Sequence, residues 1–303
     1  MLVFATSDKG GTGRSVTSCN IAYYLSQHGR DVAYLDFDFG SPTAGAIFEI
    51  SKIERGTDRG GLHSYVEGRV GHPHDLDVRA NSDRPVLRTL QTSAGRLVLF
   101  PGDLDGAEFS CTPDKVRRSV ELLRRLDQEF DVCVIDISAG RSHALQMVLQ
   151  ATAGPELRKV AARWLVFHRW TRQHILGATG LVFGEYGLIN AGVKAGHDHD
   201  TLRESIRFVR TAVPALNAPN SADRPAQAKW LRTCNNDLKN LAMRNKLGHS
   251  ATLGETPMEP VLQWREQVIS DADVSGNIVN SATADAFREL ARKLTDDAVW
   301  EGL

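Results

Sequence analysis

The chain has 303 residues, of which 42% are hydrophobic and 24% are charged, and its 36 basic residues nearly balance its 37 acidic ones. A chain of this length buries roughly three quarters of its extended surface on folding, so a sizeable core is available. The composition excludes a disordered chain and argues against a general polyanion-binding protein. The four cysteines are widely scattered and form no CxxC pair, which predicts reduced thiols instead of a disulfide framework or a zinc site.

The N-terminal segment does not resemble a signal peptide, because it has no basic region and only a short apolar run before charge and glycine. No apolar stretch of the sequence approaches the roughly 20 residues that a membrane span requires. The sequence therefore predicts a cytoplasmic protein without a membrane anchor.

The N-terminal part of the chain alternates short apolar runs with a helical pattern. Apolar runs at 2–6 and 32–35 predict buried strands, and the spacing of small and apolar residues between them predicts a helix over Ser15–His28. The segment 51–95 is polar and rich in Gly, Arg, Asp and His, which indicates an insertion with limited helix. A third strand is predicted over Arg96–Phe100.

The rest of the chain continues this alternation. A helix is predicted to begin at Pro113, and the fully apolar run 132–135 predicts another buried strand. The remaining predicted strands lie at 164–167, 206–213 and 251–253, and the remaining predicted helices lie at 171–183, 225–245, 260–269 and 283–294. Because no repeat or linker interrupts the pattern, the sequence predicts one α/β domain over 1–303, with a doubly wound, mostly parallel sheet flanked by helices.

A glycine-rich segment, Lys-Gly-Gly-Thr-Gly-Arg-Ser from Lys9 to Ser15, lies between the first strand and the first helix. Consecutive glycines let backbone N–H groups turn inward around phosphate oxygens, and the helix N-terminus presents the positive end of its dipole. The hydroxyl of Ser15 is placed to bind Mg²⁺. The predicted phosphate-binding residues are Gly10, Gly11, Thr12, Gly13, Arg14, Ser15 and Val16.

This loop resembles the deviant Walker A loop of the ParA/MinD family of ATPases, which reads KGGxGK followed by Ser or Thr. The resemblance implies a P-loop fold, ATP and Mg²⁺ as cofactors, a nucleotide-dependent homodimer and a protein partner that the sequence does not identify. It also implies that Lys9 is the signature lysine that reaches across the dimer to the partner's phosphates, which makes Lys9 a catalytic candidate.

Two acidic segments match the family in the expected order. The Asp-Phe-Asp segment at 36–38 is similar to the family's DxD segment, so the resemblance makes Asp38 the residue that orients the attacking water. The resemblance makes Asp36 a residue that orders the loop or belongs to the coordination sphere of the metal. The alternative interpretation of Asp36 and Asp38 is two solvated acidic residues at a strand end. The segment 130–140 looks like the Walker B strand, which implies that Asp136 holds the Mg²⁺ shell through water.

A third segment, Gly254–Glu259, is similar to the family's G-x-I-P-x-D segment, which commonly lies near the base, although a plain proline-containing turn explains it nearly as well. Two segments depart from the family. Ser138 and Ala139 replace the usual turn after the Walker B strand, and 207–212 lacks the asparagine that reads adenine in many members. ATP is therefore predicted from the resemblance alone.

Arg14 stands where the family carries its phosphate-binding lysine. A guanidinium is planar and larger than an ammonium, so the exchange is not conservative. The exchange allows three outcomes. Arg14 binds triphosphate from a displaced position, Lys9 supplies the positive charge within the same chain, or nucleotide binding survives while hydrolysis is slow. Because misplacing this charge by about 1 Å costs around 100-fold in rate, the sequence predicts a nucleotide-binding switch with weak or partner-triggered hydrolysis.

Three other functions stay open. A pseudo-ATPase scaffold would use the fold for protein interaction, and a P-loop metabolic enzyme of the amide ligase or small-molecule kinase type would take a second substrate, with the insertion at 51–95 lining its pocket. A DNA-partition ATPase would use the basic residues of the helix from Pro113, but acidic residues dilute that stripe, so DNA is not the favoured partner.

Other segments have both a functional and a structural interpretation. The His-Asp tracts at 72–75 and 197–200 suggest metal sites, but solvated turns are the preferred interpretation. The run 167–174 either lines the nucleotide or partner site or supplies a core tryptophan and surface charges. The helix from Thr283 is predicted to be packed rather than membrane-bound, because the acidic residues after it would repel anionic lipid.

Overall fold

Eight strands form one sheet in the computed structural model, which describes residues 1–89, 93–215 and 224–301. The strands are β1 (Leu2–Ser7), β2 (Val32–Phe37), β3 (Leu76–Asp77), β4 (Leu97–Phe100), β5 (Val132–Ile137), β6 (Ala162–Arg169), β7 (Ile206–Val213) and β8 (Thr252–Pro257). They lie in the order β3-β4-β2-β5-β1-β6-β7-β8, and every neighbouring pair is parallel except β3 with β4.

The helices of the described residues cover both faces of the sheet. They are α1 (Arg14–Gln27), α2 (Ala44–Ile47), α3 (Leu62–Val66), α4 (Val78–Asn81), α5 (Pro85–Arg88), α6 (Pro113–Glu129), α7 (His143–Ala153), α8 (Arg172–Phe183), α9 (Leu188–Ala195), α10 (His199–Glu204), α11 (Pro225–Arg244), α12 (Val261–Trp264), α13 (Asp271–Ser275) and α14 (Ser281–Leu294). α1 and α14 pack on one face, and α6, α7 and α8 pack on the other. The prediction of a doubly wound, mostly parallel sheet is confirmed.

The central strands β1, β2 and β5 are buried along their whole length, because helices cover them on both sides. Along β1, Phe4 stacks on Trp164 of β6 with ring centroids 4.5 Å apart, while Val3 and Ala5 face the α1 side. Strands buried on both faces are apolar at nearly every position. This explains why short apolar runs were enough to predict them.

The predicted helix over 260–269 is wrong. Only Val261–Trp264 is helical, and 265–270 has no regular structure. Asn20 of α1 accepts a hydrogen bond from the Ile269 N–H at 2.7 Å and donates to the Gln267 carbonyl at 3.1 Å. Because these bonds to α1 occupy backbone groups that a helix would use, tertiary structure overrides the local helical pattern.

The predicted strand at 251–253 is only the beginning of β8, so the first four residues of the segment Gly254–Glu259 are strand and not the predicted loop. The polar segment 51–95 contains short elements, among them α3, α4 and α5, and β3 pairs antiparallel with β4 at the sheet edge. Residues 90–92 of that segment lie outside the described residues. None of the described helices is long and apolar enough to cross a membrane.

Candidate functional site

The strand order brings the three predicted functional segments to one edge of the sheet. β5 lies between β1 and β2, and its Asp136 is in register with Ala5 on one side and Asp36 on the other. All three strands run in the same direction, so their carboxyl ends meet. Ligands of open α/β sheets bind in the crevice outside these ends.

The loop between β1 and α1 has the backbone of an anion site. Gly11 has φ +71° and Gly13 has φ +74°, a left-handed conformation that side chains other than glycine rarely adopt. Helix α1 begins at Arg14, with no side-chain cap on its N-terminus and no acidic residue in its first turn. Its first N–H groups therefore need another partner, and an anion such as phosphate meets that need.

The Arg14 side chain contacts Asp38, the predicted catalytic carboxylate, and Asp136, the carboxylate predicted to hold the Mg²⁺ shell. Its Nη2 donates to Asp38 Oδ2 at 2.8 Å and to Ser15 Oγ at 3.3 Å, and its Nε donates to Asp136 Oδ1. Only 6% of the Arg14 side chain is exposed. Burial alone would lower the pKa of Arg14, but the charges of Asp136 and Asp38 outweigh it and hold the pKa above its ordinary value.

A second layer holds Asp136 in place. Tyr34, fully buried on β2, donates its hydroxyl to Asp136 Oδ2 at 3.0 Å, and Ser18 lies 2.9 Å from the same hydroxyl. Ser18 also donates to the carbonyl of Arg14 at 2.8 Å. The sequence analysis missed Tyr34 and Ser18, although a tyrosine inside an otherwise apolar strand signals a buried hydroxyl that needs a partner.

Asp36 faces backbone donors. Its Oδ2 accepts from the N–H groups of Thr43 at 2.9 Å and Ala44 at 3.0 Å, and its Oδ1 accepts from Asp38 N–H at 3.3 Å. Burial and the nearby charge of Asp136 raise the pKa of Asp36 to about 8. Of its two predicted roles, this geometry favours ordering the loop that leads into α2.

The oxygens predicted to hold Mg²⁺ are bound by other groups. Ser15 and Asp136 accept from Arg14, and Asp36 accepts from backbone N–H groups. No group of three or more His, Cys, Asp or Glu side chains in the described parts of the chain converges as a metal site. The residues in this arrangement do not fit a divalent cation, because the guanidinium occupies its donor oxygens.

Two cavities adjoin the glycine loop. The first has a volume of about 180 Å³ and is lined by 10–16 together with Asp38, Ala139 and Glu266. The second has a volume of about 220 Å³ and shares Gly11, Thr12 and Gly13 with the first. Of the described residues of 51–95, none lines either cavity. We call the first cavity, beside Arg14, the phosphate compartment, after the ligand predicted from the sequence; the second cavity lies towards β7 and β8.

The second cavity is lined by residues from two segments of the C-terminal half of the chain. Arg169, Thr256 and Glu259 line it, so part of the run 167–174 and part of the segment Gly254–Glu259 lie next to the loop. Glu259 also accepts from the N–H of Asn280 at 3.1 Å, which ties this rim to the start of α14. Trp170 is buried and donates to Asn235, so it is a core residue.

Lys9 is exposed at the start of the loop that follows β1. In the described residues it makes no ion pair, whereas Asp8 beside it lies 3.8 Å from Arg141. This placement leaves the Lys9 ammonium accessible to a group outside the chain.

The other candidate segments have structural partners. His74 is 2.8 Å from Thr57 Oγ1 and His72 is 2.8 Å from an Arg125 nitrogen, and Asp198 caps α10. On α6, Arg117 pairs with acidic residues three positions before and four positions after it. α14 buries its apolar face against the sheet, in agreement with the predicted packed helix.

A parallel sheet with a Lys-Gly-Gly-Thr-Gly loop between its first strand and first helix is typical of P-loop nucleotide-binding proteins. Residues 3–291 match the family described as the CobQ/CobB/MinD/ParA nucleotide binding domain. The chain belongs to this family, as its resemblance to ParA and MinD proteins predicted.

Individual relatives are more distant. The chain is 26% identical over 163 residues to the septum site-determining protein MinD of Escherichia coli K12, an overlap that covers 52% of this chain and 54% of that protein. The chain thus spans about half the length of the curated relatives it matches.

Solved structures share the fold over nearly the whole chain. A chain of the MinC:MinD cell division protein complex of Aquifex aeolicus has a TM-score of 0.58 at 16% identity, covering 97% of this chain and 95% of that one. MinD of Pyrococcus horikoshii, complexed with Mg-ADP, has a TM-score of 0.54 at 15% identity, covering 98% and 96%.

Proposed function

We propose that this chain is an ATP-dependent switch that binds nucleotide in the loop 10–16 and dimerises around it. The observation that carries the proposal is the uncapped N-terminus of α1 beside two adjoining cavities, which offers a cradle for phosphate and space for a nucleoside. Family membership supports the same ligand class. The relative from Pyrococcus horikoshii holds Mg-ADP, and the nucleotide proposed for this chain is ATP.

Hydrolysis by this chain is proposed to be slow or triggered by a protein partner. Asp38, the candidate for orienting water, is paired with Arg14 at 2.8 Å. A carboxylate engaged by a cation is less available to a water molecule, so Asp38 must first leave the guanidinium.

Single-turnover phosphate release from Mg-ATP tests the proposed hydrolysis. The wild-type chain is compared with Arg14→Lys and Asp38→Ala, because lysine removes the fork that engages both carboxylates and alanine removes the proposed water-orienting group. We expect slow release from the wild type, faster release from Arg14→Lys and none from Asp38→Ala. Brisk release from the wild type without a partner contradicts the proposal.

The homodimer is proposed from the exposed Lys9, which the family resemblance assigns to the partner's phosphates. Sedimentation of the chain with a non-hydrolysable ATP analogue, and without nucleotide, tests this step. We expect a dimer only with the analogue, and we expect Lys9→Ala to abolish it. Lys159→Ala is the matched control, because Lys159 is also exposed but lies outside the loop and its two cavities.

A pseudo-ATPase scaffold is the second candidate, and the pairing of Arg14 with Asp38 and Asp136 favours it. It predicts the same dimer with and without nucleotide. The metabolic enzyme is less favoured, since the part of 51–95 that the structure describes lines neither cavity. A DNA-partition role is also less favoured, since acidic partners neutralise Arg117 on α6.

The MinC partner of the Aquifex aeolicus relative suggests a protein as the partner class.

A further inference from the structure

The Arg14 guanidinium lies among oxygens from three different segments of the chain. Its two engaged nitrogens bond to Ser15 Oγ after the loop, Asp38 at the end of β2 and Asp136 on β5. A hydroxyl and two carboxylates are the hard oxygen donors that a divalent cation takes in phosphate sites. Here a cation that belongs to the chain itself binds them.

We propose that Arg14 is the built-in cation of this site, so that the chain binds nucleotide phosphate without a divalent metal ion. This inference rests on the proposed function, because it concerns the nucleotide bound at the same loop. It deepens that function by naming the form of the ligand, which is the metal-free nucleoside triphosphate or diphosphate.

Burial makes the guanidinium hard to replace. The Arg14 side chain is 6% exposed and that of Asp136 is 1% exposed. A metal ion that took over these oxygens would leave the guanidinium buried without a counter-ion, and an unpaired buried charge is strongly unfavourable. A metal ion that entered beside it would meet a like charge at short range. The second oxygen of Asp136 is already bound by Tyr34.

The guanidinium also retains a nitrogen for the ligand. Its hydrogen bonds to the described residues use Nε and Nη2, and Arg14 lines the phosphate compartment. This leaves Nη1 for a phosphate oxygen. The planar, multi-donor guanidinium can bind carboxylates and phosphate at the same time, which the single ammonium of a lysine does less well. Arg14 therefore links the nucleotide to both carboxylates.

Titration of a fluorescent ATP analogue by the full chain, in excess magnesium and in excess EDTA, tests the inference. We expect wild-type affinity to differ by less than about threefold between the two buffers, because the metal contributes no more than a small binding free energy. Arg14→Lys should lose more than about tenfold affinity in EDTA. Arg117→Lys, an arginine exchange on the exposed face of α6, should behave as the wild type.

The outcomes separate the two proposals. Wild-type binding that needs magnesium overturns the metal-free site and leaves the proposed nucleotide switch intact. A chain that binds no nucleotide in either buffer overturns both.

Electron paramagnetic resonance of Mn²⁺ with the nucleotide-free chain is the second measurement. We expect the wild type to leave Mn²⁺ free in solution, and Arg14→Met to bind one ion that the added Asp136→Asn substitution abolishes. Circular dichroism verifies that each variant is folded. A wild-type chain that binds one Mn²⁺ ion, lost in Asp136→Asn, overturns the inference without any reference to nucleotide.

Discussion

Two buried arginines at opposite ends of the sheet have different partners. Arg14, at the carboxyl edge, binds the carboxylates of Asp38 and Asp136. Arg207, near the start of β7, is 2% exposed and donates to backbone carbonyls of 204, 206, 299 and 300 at 2.7 to 3.2 Å. Its guanidinium also lies 4.9 Å from the centre of the Trp300 ring.

The partners decide what each arginine does. Burial and the neighbouring charge of Arg163 lower the pKa of Arg207, whereas two carboxylates hold the pKa of Arg14 above its ordinary value. An arginine bound to carbonyls fastens the C-terminal turn to the sheet. An arginine bound to carboxylates through two of its nitrogens can bind phosphate through the third, so burial alone does not identify a functional arginine.

Arg14→Ala should have the largest effect on the free energy of unfolding. This substitution leaves Asp136 buried without its counter-ion, and removal of one partner of a buried pair lowers the free energy of unfolding by about 3 to 5 kcal/mol. Urea unfolding at neutral pH measures the loss.

Two further variants check that cause. If the unpaired carboxylate is responsible, the double substitution Arg14→Ala with Asp136→Asn should be more stable than Arg14→Ala alone. Additive losses would show that Arg14 stabilises the chain by other contacts. Arg117→Ala, on the exposed face of α6, should change stability by less than about 0.5 kcal/mol.

Arg207→Met tests whether the arginine at the other end of the sheet contributes to stability alone. It removes hydrogen bonds to four carbonyls while it keeps much of the apolar volume, and we expect a loss of about 2 to 3 kcal/mol in the free energy of unfolding. Nucleotide affinity should not change, because Arg207 lines neither cavity beside the loop. A nucleotide affinity that falls in parallel with stability would contradict the division between a structural and a functional arginine.

His168 on β6 is a buried basic group that pairs with no carboxylate among the residues that the structure describes. Burial lowers its pKa to about 4, below the ordinary value of 6.5, so the unfolded chain binds the additional proton between these values. Stability should therefore fall as the pH falls through this window, by about 2 kcal/mol at pH 5.

His168→Phe should remove this part of the pH dependence. Urea unfolding of both chains at pH 8 and pH 5 measures it as the difference between their two pH slopes. Equal slopes for the wild type and His168→Phe would mean that folding does not lower the pKa of His168.

Much of the site could be predicted from the sequence, because its segments are local. The glycines from Gly10 to Gly13 and the aspartates at strand ends need only a strand, a turn and a helix start to be recognised. The pairing of Arg14 was not predictable, because it depends on β5 lying between β1 and β2. That order places Asp136 beside Asp36, which is 100 residues away in the chain.

The errors in the fold have the same origin. The segment 260–269 has a helical pattern, yet Asn20 of α1 claims the backbone of 267 and 269. The opposite error concerns α7, which was not predicted. Eight of its 11 residues are buried and its exposed stripe has only three residues, His143, Gln146 and Gln150, so its polar face is too narrow to mark an amphipathic helix, and only Ser142 at its N-cap signals its start.

The smallest predicted effect concerns Thr211, which joins β7 to the glycine loop. Its Oγ1 donates to the Thr12 carbonyl at 2.5 Å, and its side chain is buried. Thr211→Val removes this bond and keeps the shape, so we expect a loss of about 1 kcal/mol in the free energy of unfolding.

If Thr211 only holds the loop, the same free energy limits the loss of nucleotide affinity in Thr211→Val to about fivefold. Thr211→Ser keeps the hydroxyl and should retain wild-type affinity in the same fluorescence titration. A loss of more than tenfold in Thr211→Val would instead mean that the hydroxyl contacts the nucleotide. The site would then extend along the carboxyl edge of the sheet from Arg14 to β7, so that this one strand would serve binding at its carboxyl end and stability at its start, where Arg207 is bound.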